Sequence, residues 1–141
     1  QNDPTLIKTA VEEMLRYNGP VETPTVRFAF EDVEYKGYQI KLGDQVLPSL
    51  LAANRDPAQF PEPNRFDITR TPNQHIAFGH GIHYCIGAPL ARLEGSIAIN
   101  ALLARFTDLQ LAVAAKDLQW NASILLHGMK AMPVTYRARS A

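Results

Sequence analysis

Cysteine is nearly absent from this sequence: of its 141 residues, only Cys85 carries a thiol. That excludes an internal disulfide framework and fits a reducing compartment, so a cytoplasmic location is expected. It also leaves any thiolate chemistry with a single candidate. Net charge is lacking too, because 14 basic and 14 acidic side chains cancel. Such a balance argues against nucleic acid or an anionic membrane as the main partner. No run approaches the roughly 20 apolar residues that span a bilayer, and no charged-then-apolar secretory signal opens the chain. There is no initiator Met, and a helix signal comes almost at once, as expected of a piece of a longer protein. What is abundant is apolar: 46% of residues are hydrophobic, enough for one compact unit over residues 1–141 with its own core.

Asp3-Pro4 reads as a helix start, Asp capping free N–H groups and Pro tolerated at the first position. Leu6, Ile7, Ala10, Met14 and Leu15 follow at helical spacing as one apolar stripe. Asn18-Gly19-Pro20 ends this helix, with Gly19 expected in a left-handed cap. Val26, Phe28 and Phe30 then alternate in strand fashion, and Tyr35-Lys36-Gly37-Tyr38 is a turn between two short strands. Residues 49–54 read as a short helix. Between 56 and 71, Pro57, Pro61 and Pro63 break both periodicities, so a long irregular segment is expected, with Phe60 and Phe66 packing it down. A Gly-rich loop spans 78–87. A strong helix follows, with Pro89 near its start and Leu90, Leu93, Ile97, Ala101 and Leu102 expected inward. Residues 109–136 read as short strands with turns at Asn121 and His127-Gly128.

The chemistry concentrates in Phe78-Gly79-His80-Gly81-Ile82-His83-Tyr84-Cys85-Ile86-Gly87, followed by Ala88-Pro89-Leu90-Ala91-Arg92. A thiol just ahead of a long helix meets free N–H groups and the positive end of the dipole, a setting that favours thiolate. Gly81 and Gly87 permit the close approach that a flat, bulky cofactor needs, and Phe78 supplies an apolar wall. Other readings compete. A lone Cys is commonly an inert buried side chain. One Cys with four scattered His does not make a convincing zinc site, and the C-x-x-C-H of c-type haem attachment is absent. A nucleophilic pair with His83 lacks an orienting acid.

The spacing of Phe78, Gly81, His83, Cys85 and Gly87, running into the Ala88–Arg92 helix start, resembles the haem-binding signature of the cytochrome P450 family. The resemblance runs through nearly all of residues 1–141 in the family's order. It implies a mostly helical α+β fold: helix, short β-sheet, meander, cysteine loop, long helix and terminal β-hairpin. The chain would be the C-terminal haem-binding part of a single larger domain whose N-terminal part is absent. The family also implies haem b as cofactor, with Cys85 the iron ligand and catalytic residue, and Phe78, Gly79, His83, Gly87 and Arg27 around it. Arg27 and His83 would hold the propionates. Glu13 and Arg16, otherwise readable as a surface ion pair, would join Arg65 in a buried structural network. Thr23, Thr25 and Val26 would line the substrate side with Leu125 and Leu126, two residues that serve equally well as plain core. The activity implied is insertion of one oxygen atom from O2 into a small hydrophobic organic substrate. Electrons would come from a ferredoxin- or flavodoxin-like donor docking around His80 and Arg92, and the missing N-terminal part is a further expected partner. A haem-binding fragment with no activity of its own is the alternative, and a peroxygenase using peroxide is a third reading.

Overall fold

Asp3 caps the first helix as its sequence demands, its carboxylate accepting the Thr5 N–H at 2.9 Å, with Pro4 in the first turn. The computed structural model describes residues 3–139. A 3-10 turn over Pro4–Leu6 leads into helix α1, Ile7–Asn18. Four short strands follow: β1 (Arg27–Phe28), β2 (Val33–Tyr35), β3 (Tyr38–Ile40) and β4 (Gln45–Val46), then the short helix α2 (Leu50–Ala53). An irregular stretch carries the chain to helix α3, Ala88–Arg105, which runs directly into β5 (Phe106–Leu111). The last strand, β6 (Val134–Ala138), pairs antiparallel with β5.

The hairpin expected at Tyr35–Tyr38 forms, with Tyr35 opposite Tyr38 and both turn residues at positive φ, Lys36 at 49° and Gly37 at 83°. That is the twist-matched turn in which a Gly at the second position is favoured. Strand β1 is shorter than the Val26-to-Phe30 alternation suggested, and it pairs with β4. The 49–54 helix forms with Ser49 capping the Ala52 N–H at 3.1 Å.

Two expectations fail on packing. Gly19 is not left-handed: its φ is −61° and its ψ 154°. Its value is clearance, since a Cβ there would lie 2.6 Å from the Leu15 carbonyl oxygen. On α3, Leu90, Leu93, Ile97 and Leu102 are exposed rather than inward, and Ala101 is only half-buried. The helix is apolar on most sides, so its periodicity selects no face. Small residues make the contact instead. Ala88 is fully buried, and a Cβ on Gly95 would meet Val11 of α1 at 3.5 Å.

Among the described residues the apolar core is small: Ala10, Val11, Leu50, Phe60, Ala77 and Ala88. The largest fully buried side chains are polar, namely Arg16, Glu13 and Asn54. Arg16 forks onto Glu13 through Nε at 2.7 Å and Nη2 at 2.8 Å, with both side chains 0% exposed. Its remaining donors go to carbonyl oxygens of the irregular stretch: Asn54 and Pro63 at 2.9 Å, and Arg65 at 3.1 Å. Glu13 in turn accepts the Asp67 N–H at 2.8 Å and Asn73 Nδ2 at 3.1 Å. The second arginine on Glu13 is Arg70, at 3.2 Å, and not Arg65. Arg65 joins the network through its backbone carbonyl, while its exposed side chain turns to Glu62. Phe60 packs under the Arg16 guanidinium at 5.3 Å, and Phe66 meets Tyr17 edge-on at 5.4 Å, so both aromatics pin the stretch to α1.

Breaking a buried pair strands its partner charge, at a cost of about 3–5 kcal/mol. Arg16→Ala should therefore lower the chemical unfolding midpoint by that equivalent, and an unchanged midpoint would sink this account. Gly19→Ala should cost about 1–3 kcal/mol by overpacking against the Leu15 carbonyl, readable in the same denaturant titration.

Candidate functional site

The Gly-rich loop is closed at its neck by the Cys85 N–H, which donates to the Phe78 carbonyl at 2.9 Å. Inside it a single 3-10 turn, Gly81–His83, carries the Tyr84 N–H back to the Gly81 carbonyl at 3.0 Å. Gly79 and Gly81 sit at φ of 77° and 69°, values that L side chains adopt only with strain. The first amide of α3, on Ala88, donates to the Cys85 carbonyl oxygen at 3.2 Å. The helix start thus fixes the backbone of Cys85.

Cys85 is exposed and faces a cleft of about 510 Å³ that also gathers Arg27, Phe78, Gly79, His80 and His83. Leu15, Val21, Leu50, Ile76 and Ala77, with Pro20, Pro24 and Pro48, form the apolar remainder of its lining. The loop, strand β1 and α1 therefore converge on one thiol, an apolar wall, and the Arg27 guanidinium with two imidazoles at the edge. Gly87 follows the thiol closely, and a Cβ there would sit in ordinary contact with Sγ at 3.7 Å. Ile82 and Ile86, on either side of the thiol in sequence, are 98% and 99% exposed. This donor set suits a flat, largely apolar cofactor with one soft-ligand metal and peripheral carboxylates. It suits no other metal arrangement, since no group of three or more His, Cys, Asp or Glu converges among the described residues.

Arg27 is held in place through one nitrogen. Nη1 donates to the Thr25 carbonyl at 2.8 Å, the Thr25 hydroxyl at 2.6 Å and the Val26 carbonyl at 3.4 Å, leaving Nε and Nη2 to donate elsewhere. The two segments expected on the substrate side come together. Val21 bridges Leu126, Glu22 N–H donates to the Leu125 carbonyl at 3.1 Å, and Thr23 Oγ1 donates to the Ile124 carbonyl at 2.8 Å. Thr23, Thr25, Val26, Leu125 and Leu126 lie next to the cleft in sequence or pairing but do not line it. Leu125 and Leu126 are exposed within the described residues.

Arg92 is not free for docking. Nε and Nη2 fork onto Glu12 at 2.6 and 2.9 Å, and Nη1 donates to the Tyr84 hydroxyl at 2.9 Å. Its hydrogen bonds to Glu12 hold the guanidinium in its charged form. His80 remains exposed at the cleft edge. Sequence reasoning missed Glu12, His75, Arg70 and Asn73. All four are polar side chains that meet across 57 or more residues or from different elements, and no local pattern announces such pairings.

Several ionisable groups are perturbed. Burial would raise the Glu13 carboxyl, but Arg16, the Asp67 N–H and Arg70 together hold it below the usual range. Hydrogen bonds from Arg92 hold Glu12 low as well. Burial lowers His75, outweighing the opposite pull of Glu12 and reinforced by Arg92 and Arg16.

A family model described as Cytochrome P450 matches residues 2–128. The chain is 54% identical over 135 residues to cytochrome P450 monooxygenase PikC of Streptomyces venezuelae, covering 96% of this chain and 32% of that protein. It is 52% identical to polyketide biosynthesis cytochrome P450 PksS of Bacillus subtilis (strain 168), covering 96% and 33%. The solved PksS structure superposes with a TM-score of 0.91, covering 94% of this chain and 34% of that one. A tirandamycin C-bound P450 monooxygenase, TamI, superposes at 0.92 with 44% identity, covering 96% and 34%. The chain thus spans about a third of the length of the relatives it matches. Among the described residues, no helix is long and apolar enough to cross a membrane.

The perturbed groups set a pH dependence. Neutral His75 contributes stability that is present above the ordinary histidine value of about 6.5 and is lost as pH falls below it. Glu12 and Glu13 contribute stability present above the ordinary glutamate value of about 4.3 and lost as pH falls through their lower folded-state values. The urea midpoint should begin to drop below about pH 6.5 and drop further in the glutamate range. In His75→Gln the first stage should vanish. A wild-type midpoint that is flat between these two ranges would contradict the His75 assignment.

Proposed function

The chain belongs to the cytochrome P450 family, and from that membership we propose that it is the haem-ligand part of a haem-thiolate monooxygenase, with Cys85 as the axial ligand. The observation that carries the reading is the cleft that brings the lone thiol together with Arg27 and His83 under an apolar wall. Haem b, when bound, supplies the oxygen chemistry, and a thiolate ligand pushes electron density that favours O–O cleavage.

The chain's own residues then have separate tasks. Cys85 provides the ligand from a loop whose neck is fixed by its own amide and by the start of α3. Arg27, steadied through Nη1 by Thr25, offers its remaining N–H groups to a propionate, and His83 offers a second donor from the loop. Phe78 with Leu15, Leu50 and Ile76 keeps water from the thiol side of the cleft. Gly79 and Gly87 leave the plane of the cofactor unobstructed. Thr23, Thr25, Val26, Leu125 and Leu126 stand as the substrate-side border. That border suits an apolar organic substrate; among the relatives, PksS is named for polyketide biosynthesis and TamI was solved with tirandamycin C bound. In the whole protein the reaction takes O2 and two electrons, the latter from a small ferredoxin- or flavodoxin-like donor.

The chain spans about a third of the relatives' length, so ligation by this chain is tested apart from turnover by the whole protein. Activity and ligation are separable by experiment. After haem loading, the reduced, carbon monoxide-bound difference spectrum should show the strongly red-shifted Soret band of a thiolate ligand, and Cys85→Ser should abolish it. A variant that keeps the band would refute Cys85 as the ligand, whatever the turnover of either protein.

A further inference from the structure

Glu12 and Glu13 are adjacent on α1, yet their carboxylates serve different parts of the chain. Glu13 serves the irregular stretch. Glu12 serves the cysteine loop, from both of its ends. Its Oε1 accepts from Arg92 Nε at 2.6 Å and its Oε2 from Arg92 Nη2 at 2.9 Å. The same Oε2 lies 2.9 Å from His75 Nε2. His75 Nδ1 accepts the Ala77 N–H at 3.2 Å, which places the ring proton on Nε2 and makes it the donor to Glu12.

Each arm continues to Cys85. On the entry side, His75 holds the Ala77 backbone just before Phe78, whose carbonyl accepts the Cys85 N–H. On the exit side, Arg92 lies over the Phe78 ring at 4.7 Å and donates to the hydroxyl of Tyr84, the residue before the ligand. His75 is 2% exposed at its side chain, so a lost partner is not replaced by solvent. An ordinary exposed ion pair contributes little. This carboxylate differs in having a forked partner and a buried one, on opposite arms of one loop.

We propose that Glu12 is a positioning residue for Cys85, a single carboxylate that fixes the entry arm through His75 and the exit helix through Arg92, and so sets where the sulfur presents itself. The proposal rests on the reading of Cys85 as haem ligand only for its consequence on ligation. The positioning itself is a property of the chain.

The test compares Glu12→Gln with Val11→Ala on the 141-residue chain. Val11 is buried in the α1–α3 contact beside Gly95, so its truncation lowers stability without touching the carboxylate. In the haem-loaded, reduced, carbon monoxide-bound state, Glu12→Gln should raise the ratio of thiol-type to thiolate-type Soret band roughly tenfold, the effect of losing one hydrogen bond to a charged group. Val11→Ala should leave that ratio at the wild-type value while lowering the melting temperature. Without haem, amide exchange at Cys85 should quicken roughly tenfold in Glu12→Gln on the same reasoning, and stay unchanged in Val11→Ala relative to global exchange. Arg92→Lys, which keeps the charge but loses the fork, should move both readouts in the direction of Glu12→Gln and serves if that variant does not fold. Equal effects in Glu12→Gln and Val11→Ala, or none in Glu12→Gln, would overturn the proposal. A wild-type chain lacking the thiolate band would mean that haem binding belongs to the whole protein and not to this piece, and the exchange rates would still decide the positioning.

Discussion

Taking a glutamate and an arginine wholly out of water is expensive, and the structure is organised around doing so for Glu13 and Arg16. Desolvation is offset only when the remaining donors and acceptors are satisfied. Each bond that satisfies them pins a different backbone segment: Asn54 at the end of α2, Pro63 and Arg65 in the irregular stretch, and Asp67 just beyond. A stretch with four prolines between residues 57 and 72 has little ladder bonding of its own. Its conformation is therefore dictated from outside, by one charged pair on α1. Asn54 extends the reach. Its carbonyl takes Arg16, while its side-chain oxygen takes the Ile76 N–H at 2.8 Å, two residues before Phe78 and the mouth of the cysteine loop.

Seen from α1, the chain beyond it is positioned by polar bonds more than by apolar contact. Ala10 and Val11 face the small apolar core and, through Gly95, the close contact with α3. Glu12 and Glu13 then distribute direction, one to the cysteine loop and one to the stretch before it. Hydrophobic burial is non-directional, and of the six buried apolar side chains among the described residues three are alanines. Charge-assisted bonds have geometry, and forked arginines have the most. That difference explains why two glutamates at consecutive positions can orient segments about sixty and eighty residues away.

What the sequence disclosed follows from how local each signal is. The hairpin at Tyr35–Tyr38, the Ser49 cap and the Asp3-Pro4 start are decided by neighbours a few residues apart, and each formed. The cysteine loop was legible for the same reason: its glycines, its thiol and the helix behind it are contiguous. Long-range choices were not legible. Arg65 and Arg70 are both arginines in one polar stretch, and only the folded backbone shows that Arg70 reaches Glu13 while Arg65 contributes a carbonyl. On α3, Leu and Ile occupy most sides, so periodicity selects no single face, and among the described residues the close contact with α1 runs through Gly95 against Val11. Gly19 looked like a cap residue by position. Its role is to clear a carbonyl one turn earlier.

On the reading proposed for Cys85, its loop would present the thiol to a broad, flat cofactor, and the side facing that cofactor carries no packing. Cys85 is exposed, with Ile82 and Ile86 almost wholly so, and the two glycines at positive φ offer no side chain for support. Apolar burial can therefore stiffen the loop only from behind, where Phe78 and Ala77 already meet the body of the chain. The remaining rigidity has to come from bonds that act at the ends. The Cys85 amide closes the neck, the α3 start holds the Cys85 carbonyl, and Glu12 ties both arms to the helix that also carries the buried pair. Preorganisation of a ligand depends on such support, because a sulfur that moves by even 1 Å or so loses its geometry. Charge-assisted bonds at the two ends of the loop thus supply direction that its glycines and exposed side chains do not.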